Sequence, residues 1–240
     1  MIYDLSIIIP VYFNEESLDN LFQKLIIRDR SIQNFTNILI AYLFAHVSLL
    51  ADDDNLLWRS FVIEKKISPK INLELEQSSR FYEQISKIKQ SFSEINISYK
   101  INNNFKIEIP YRYAIFEKKT KSRLALSTTI NHKNKKNTFR YRIKAQRESE
   151  LVKTEDFLRH KFSYLHKISK KYEPFIATEF ISASENQFGK IDEQRVAIGS
   201  KFDLPNKSSL RLQFIIQRKN LLGKEIIINN VLGITFSAKI

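Results

Sequence analysis

The sequence predicts an all-β protein, an antiparallel up-and-down β-barrel of about 10–12 strands preceded by a short α/β-like fragment and an apolar helix. Two observations support this fold class. From residue 56 onward, apolar and polar residues alternate with a period of two, which is the pattern of strands with one apolar and one polar face. The runs are also longer than the usual strand of 5–6 residues and match the 9–11 residues needed to cross a bilayer at a tilt.

The clearest example is residues 92–116, where two alternating runs flank three consecutive asparagines. Asparagine tolerates the backbone dihedrals of turns, so residues 102–104 are predicted to connect two strands of a hairpin. The apolar residues of the two arms share one parity and are expected on one face: Ile95, Ile97, Tyr99, Ile101, Phe105, Ile107, Ile109, Tyr111, Tyr113 and Ile115.

Eleven such runs follow one another along the chain. A bacterial outer-membrane barrel with both termini on the periplasmic side has an even number of strands. We therefore expect either that the first run lies outside the barrel or that a further strand is hidden in the pattern. The predicted strands are residues 56–67, 70–83, 92–102, 105–117, 122–133, 138–148, 157–169, 172–184, 192–203, 208–220 and 225–240.

The connections between the runs are expected to alternate in length. Short turns are predicted at residues 102–104, 133–136, 170–171 and 204–208, and longer polar segments at 84–91, 149–156 and 185–191. Short turns at one rim and longer loops at the other are typical of outer-membrane barrels.

Composition restricts the possible functions. The net charge of +13 and the pI near 9.7 permit a polyanionic partner, but lysine and arginine are spread through every segment, so no nucleic-acid partner is expected. The lack of cysteine excludes thiolate catalysis, zinc–thiolate sites and disulfides. The four histidines follow no metal-binding spacing, and the chain contains no glycine-rich phosphate loop. We therefore expect no metal and no cofactor.

The first segment, residues 5–25, reads as a buried strand, a turn and an amphipathic helix. Its sequence LSIIIPVYFNEESLDNLFQKL resembles the opening of the family 2 glycosyltransferases. The resemblance implies a glycosyltransferase-like fragment over residues 1–34, in which Pro10, Tyr12, Asn14 and Glu15 would line a nucleotide pocket. The later motifs of that family do not follow.

Residues 35–51 contain the most apolar run of the chain, ILIAYLFAHVSLLA, which is expected to form a helix. A basic flank before the run and a polar stretch after it resemble a secretory signal peptide; the alternative is a buried helix of a soluble domain. The prediction is that residues 1–51 contribute nothing to a barrel formed by residues 52–240.

The alternation defines two faces without saying which one is inside. In an outer-membrane barrel the charged face lines the lumen and the apolar face meets lipid. In a soluble sandwich or lipocalin-like barrel the same apolar face forms the core. Strand length and the candidate signal peptide favour the membrane.

Residues 56–240 resemble an outer-membrane barrel family of unknown function, number 2490 of the unknown-function series. The runs that carry the resemblance are PYRYAIF, NTFRYRIKAQRE, PFIATEFI, DEQRVAIGSKFDL and NNVLGITFSAKI. By this resemblance, a structural or ligand-binding charged cluster should face the lumen. Its members are Arg112, Arg140, Arg142, Glu179 and Arg195.

The predicted function is that of a bacterial outer-membrane β-barrel without enzymatic activity. Its expected partners are outer-membrane lipid, the barrel-assembly machinery and an unidentified small molecule. The alternatives are a truncated glycosyltransferase that uses sugar nucleotides, located in the cytoplasm or at the inner membrane, and a periplasmic lipid-binding barrel.

Overall fold

The computed structural model describes residues 55–83, 85–151, 153–183 and 190–240. The chain divides into two units, residues 1–51 and 52–240, and all described residues belong to the second. The predicted glycosyltransferase-like fragment and the predicted apolar helix therefore lie outside the described residues.

The described residues form eleven β-strands and no helix, so they confirm the predicted all-β class. In this part of the chain no helix is long and apolar enough to cross a membrane. The strands are β1 (Asn55–Lys66), β2 (Ile71–Tyr82), β3 (Lys87–Lys100), β4 (Phe105–Phe116), β5 (Thr120–Asn134), β6 (Asn137–Ser149), β7 (Thr154–His166), β8 (Tyr172–Ala183), β9 (Glu193–Leu204), β10 (Ser208–Lys219) and β11 (Ile227–Lys239).

The strands close into a barrel. Each strand pairs antiparallel with the next one in the chain, and β1 pairs parallel with β11, with Leu56 opposite Val231. The expectation of an even strand number was wrong. The first run is strand β1 of the barrel wall, and the described residues contain no twelfth strand. Because direction alternates from strand to strand, the first and eleventh strands of an odd set point the same way and can close only in parallel.

The parallel closure gives the barrel two different rims. The turn rim carries the connections after β1, β3, β5, β7 and β9, which are 2–5 residues long, together with Ile240. The loop rim carries the other five connections, of 3–9 residues, and the start of β1. Two of the predicted long segments, 84–91 and 149–156, are connections of only four residues, because β3, β6 and β7 extend into them.

The asparagine turn forms as predicted, by a specific mechanism. The Asn102 side-chain Oδ1 accepts hydrogen bonds from the backbone N–H groups of Asn104 and Phe105, both at 2.9 Å. A side chain that satisfies the backbone in this way stabilises a turn. The turn fixes the register of β3 and β4, which places Glu94 opposite Arg112.

The two faces of the sheet differ as the alternation predicted, and strand β4 shows the rule. Its residues Ile109, Tyr111 and Ile115 point outward and are exposed, whereas Arg112 and Ala114 point inward and are half-buried and buried respectively. The charged face is therefore the inside of the barrel.

Two glycines make room for one side chain of the inner face. Gln213 on β10 lies opposite Gly199 on β9 and Gly233 on β11. A Cβ atom added at Gly199 would lie 2.3 Å from the Leu212 carbonyl oxygen, and one added at Gly233 would lie 2.7 Å from the Gln213 Cγ atom. At Gly199 the clash is with backbone, so this position needs a residue without a side chain, whereas at Gly233 the clash is only with the flexible Gln213 side chain.

Candidate functional site in the barrel interior

A cavity of about 250 Å³ lies in the barrel interior, and we call it the central cavity. Charged and polar side chains from strands on all sides of the barrel form most of its wall. The lining residues are Trp58, Ser60, Glu76, Ser78, Arg80, Phe92, Arg112, Arg142, Arg159, Lys161, Glu179, Arg195, Ala197, Gln213, Ile215 and Thr235.

Glu179 on β8 lies at the centre of an ion-pair cluster on one wall of the cavity. Its carboxylate accepts hydrogen bonds from Arg142 at 3.0 Å and from Arg159 at 2.6 Å, and Arg195 lies 3.7 Å away. Glu179 is only 5% exposed. Since a buried charge is stable only when it is paired, the three guanidinium groups explain how this carboxylate is accommodated.

A second ion pair lies on β3 and β4. Arg112 Nε donates to Glu94 Oε2 over 2.7 Å, and the Arg112 guanidinium carbon lies 3.6 Å from the centre of the Phe92 ring. The ring and the carboxylate together fix the direction of this guanidinium.

Arg80 on β2 differs from the other arginines of the wall. Its guanidinium carbon lies 4.2 Å from the Trp58 ring centre and 5.4 Å from the Phe92 ring centre. Among the described residues, no carboxylate lies within ion-pair distance of Arg80. Arg195 shares the Trp58 ring at 5.3 Å.

The structure brings four of the five residues of the predicted charged cluster to the central cavity. Arg112, Arg142, Glu179 and Arg195 line it. Arg140 lies outside this lining, where its Nε donates to Asn131 Oδ1 over 2.8 Å. The alternative nucleotide-binding residues Pro10, Tyr12, Asn14 and Glu15 lie outside the described residues.

Sequence reasoning missed several residues of the cavity wall. Arg80 shares the parity of the glutamates of β2, so the alternation could have placed it inside. Arg159 and Lys161 lie in a run where leucine and phenylalanine occur at both parities, which obscures the pattern. Trp58 and Phe92 are apolar residues on the charged face, and their role depends on arginines of other strands.

Another ion-pair network lies towards the loop rim. Lys121 bridges Glu148 at 2.8 Å and Glu150 at 2.5 Å, and Arg123 pairs with Glu148. Hydrogen bonds from Lys121 and Lys119 hold the pKa of Glu150 below its usual range. Each cation of this network already has a carboxylate partner, so the network links strands and loop and leaves no unpaired cation in the group.

The central cavity therefore offers hydrogen-bond donors and an excess of positive charge. In the described ranges, no group of histidine, aspartate and glutamate side chains is arranged to hold a metal ion. Its arginines present planar arrays of N–H donors, which match carboxylate and phosphate groups. This chemistry suits the binding of an anion.

These features define a closed β-barrel with a charged interior and an apolar exterior. Residues 55–225 match the family model described as "Protein of unknown function (DUF2490)", and the chain belongs to this family. The match includes β1 to β10 in full. No protein with a curated description matches the chain. The resemblance of residues 5–25 to glycosyltransferases lies outside the matched region and stays a prediction.

Proposed function

We propose that this protein is a bacterial outer-membrane β-barrel without enzymatic activity. The observation that supports the proposal is the direction of the two faces, with charged residues inside and large apolar residues outside. This arrangement is the reverse of a water-soluble barrel, whose apolar face forms the core.

The outer face carries large apolar side chains on strand after strand. Leu126 is 55% exposed and Ile97 is 52% exposed, and similar residues continue around the sheet. Soluble monomers rarely expose contiguous apolar patches of more than a few hundred Å². Contact with lipid tails removes these side chains from water without requiring a protein partner.

The strand lengths fit a membrane. The strands contain 12–15 residues. At about 3.3 Å per residue, twelve residues extend for roughly 40 Å, which a tilt of about 40° reduces to a height of roughly 30 Å. The apolar band of outer-membrane barrels is about 25 Å high. An odd strand number does not prevent membrane insertion, because a 19-stranded mitochondrial barrel exists.

The turn rim supports contact with anionic lipid. Its connections contain seven exposed lysines and no acidic residue, whereas the described connections of the loop rim contain both signs. Lysines at a membrane surface are attracted to anionic headgroups, by about 1 kcal/mol each. The turn-rim lysines are Lys70, Lys135, Lys136, Lys167, Lys170, Lys171 and Lys207.

The alternatives have less support. A periplasmic lipid-binding barrel needs an apolar cavity, whereas arginine, lysine and glutamate form much of the wall of the central cavity. A glycosyltransferase needs a parallel α/β nucleotide-binding domain, and the described residues form a barrel whose single parallel pair is its closing seam. In our proposal, residues 35–51 direct export and are removed near Asp52.

The test is to express the chain in a Gram-negative host and to separate the cell envelope. We expect the protein in the outer-membrane fraction, with detergent extraction and with faster gel mobility before boiling than after boiling. A known outer-membrane barrel and a periplasmic protein serve as fractionation controls. Recovery as a detergent-free soluble monomer would contradict the proposal.

A further inference from the structure

The central cavity has more positive charge than its own carboxylates neutralise. Six basic and two acidic side chains line it, an excess of four positive charges. Glu94 and Glu193 pair from outside the lining with Arg112 and Arg195, at 2.7 Å and 2.5 Å, which reduces the excess to two. The basic residues are Arg80, Arg112, Arg142, Arg159, Lys161 and Arg195, and the acidic ones are Glu76 and Glu179.

The unpaired charge is concentrated at Arg80 and Lys161. Neither has a carboxylate within ion-pair distance in the part of the chain that the structure describes. In the described residues, the side-chain contacts of Arg80 are with the Trp58 and Phe92 rings. A cation–π contact compensates a half-buried guanidinium less completely than an ion pair with hydrogen bonds. An anion from solution would complete the coordination of this group.

The position of Arg112 adds a second donor to the same place. The guanidinium carbons of Arg80 and Arg112 both lie within 5.4 Å of the Phe92 ring centre. Both guanidinium groups thus border the same part of the central cavity, and we infer that side-chain movement can bring both to one oxyanion. Aromatic rings beneath both guanidinium groups hold them in place before the anion arrives, which reduces the entropy lost on binding.

We propose that the central cavity binds a dianionic phosphate group, with Arg80 as its principal ligand and Arg112 as a second donor. Phosphate monoesters and inorganic phosphate carry between one and two negative charges near pH 7, opposite in sign to the excess charge of the cavity. Arginine binds phosphate through paired N–H donors. The inference concerns the barrel interior and does not depend on the membrane location of the barrel.

The chain contains a reporter at this site. Trp58 is the single tryptophan of the sequence, and the Arg80 guanidinium stacks on its ring. Phosphate that moves Arg80 should change the Trp58 fluorescence in a saturable way. The titration uses the full chain in detergent micelles, with inorganic phosphate and with glycerol 3-phosphate, at an ionic strength kept constant with sodium chloride.

A direct binding measurement must accompany the fluorescence, because a change at Arg80 also alters the reporter. Equilibrium dialysis with radiolabelled phosphate gives the affinity of each variant. We expect Arg80→Gln to weaken binding by roughly 10- to 100-fold, the loss of a charge-assisted hydrogen-bonded contact. Saturation with either phosphate compound supports the proposal, and the tighter of the two identifies the free anion or the ester as the better ligand.

Arg211 provides the matched control. It also stacks on an aromatic ring, with its guanidinium carbon 5.1 Å from the Phe175 ring centre, and it does not line the central cavity. Arg211→Gln should bind phosphate like the unmodified chain. Each variant must first show the β-sheet circular dichroism spectrum of the unmodified chain, and if Arg80→Gln does not fold, Arg80→Lys replaces it, with an expected loss of about tenfold.

Three outcomes would overturn the proposal. The first is the absence of saturable phosphate binding at millimolar concentration. The second is an unchanged affinity in the Arg80 variant. The third is tighter binding of succinate than of either phosphate compound, which would assign the cavity to dicarboxylates.

Discussion

The Glu179 carboxylate accepts a 2.6 Å hydrogen bond from Nη2 of Arg159, across the β7–β8 strand pair. Arg142 and Arg195, from β6 and β9, approach the same carboxylate. One acidic side chain thus connects four consecutive strands of the barrel. The positive charges of these three arginines are paired on this wall with the Glu179 carboxylate.

Replacing this carboxylate should destabilise the barrel. Glu179→Gln leaves three guanidinium groups without their shared partner, and breaking a buried ion pair from one side costs roughly 3–5 kcal/mol. The measurement is urea unfolding in lipid vesicles, followed by Trp58 fluorescence. Glu117→Gln, in an exposed connection, is the control and should leave the midpoint unchanged. Equal midpoints for the two variants would exclude a structural role for the Glu179 cluster.

A charge on the outer face should distinguish a membrane barrel from a soluble one. Leu126 lies near the middle of β5 and points outward. In a bilayer, Leu126→Arg should cost about 2–4 kcal/mol, whereas on a water-exposed surface it should change stability by less than about 0.5 kcal/mol. Folding yield and unfolding midpoint in vesicles measure the difference. Asn103→Arg, in a turn, should be neutral in both cases.

The two glycines beside Gln213 should respond differently to alanine. At Gly199 the new Cβ atom would meet backbone atoms of Leu212 and Gln213, which cannot move without shifting β10. At Gly233 it would meet only the flexible side chain of Gln213. We expect Gly199→Ala to cost about 1–3 kcal/mol and Gly233→Ala to cost less. Thermal unfolding of the two variants in parallel is the measurement, and the reverse order would show that the β9–β10 contact is looser than described.

The lysines of the turn rim should promote insertion into anionic membranes. Replacing Lys135, Lys136, Lys170 and Lys171 by glutamate reverses the charge of two neighbouring connections. Insertion into vesicles that contain phosphatidylglycerol should become slower, while insertion into zwitterionic vesicles should change little. Added salt should reduce the difference. Equal slowing in both lipids would indicate a folding defect instead of a lost headgroup contact.

Export predicts a defined mature N-terminus. Protein recovered from an outer-membrane fraction should begin near Asp52, as found by N-terminal sequencing. Replacing residues 1–51 by a standard signal peptide should leave barrel assembly intact, measured by heat-modifiable mobility. An intact Met1 on cytosolic protein would contradict both expectations and would favour the glycosyltransferase alternative.

Alternation along the sequence determined the strands and their two faces, because a period of two is a local property of the chain. The alternation and the three asparagines between the two runs together determined the hairpin at Asn102, whose register follows from the turn. The same parity placed Glu94 and Arg112 on one face.

The tertiary structure decided what depends on residues far apart in the chain. Whether eleven strands close, and by a parallel seam, depends on the strand number and on the pairing of β1 with β11, which no local pattern encodes. The stacking of Arg80 on Trp58 and Phe92 joins three strands, and the turn-rim lysines become one surface only when five connections meet at the same end. Alternation defines two faces equally well for a soluble and a membrane barrel, and only closure of the sheet showed that the charged face is inside.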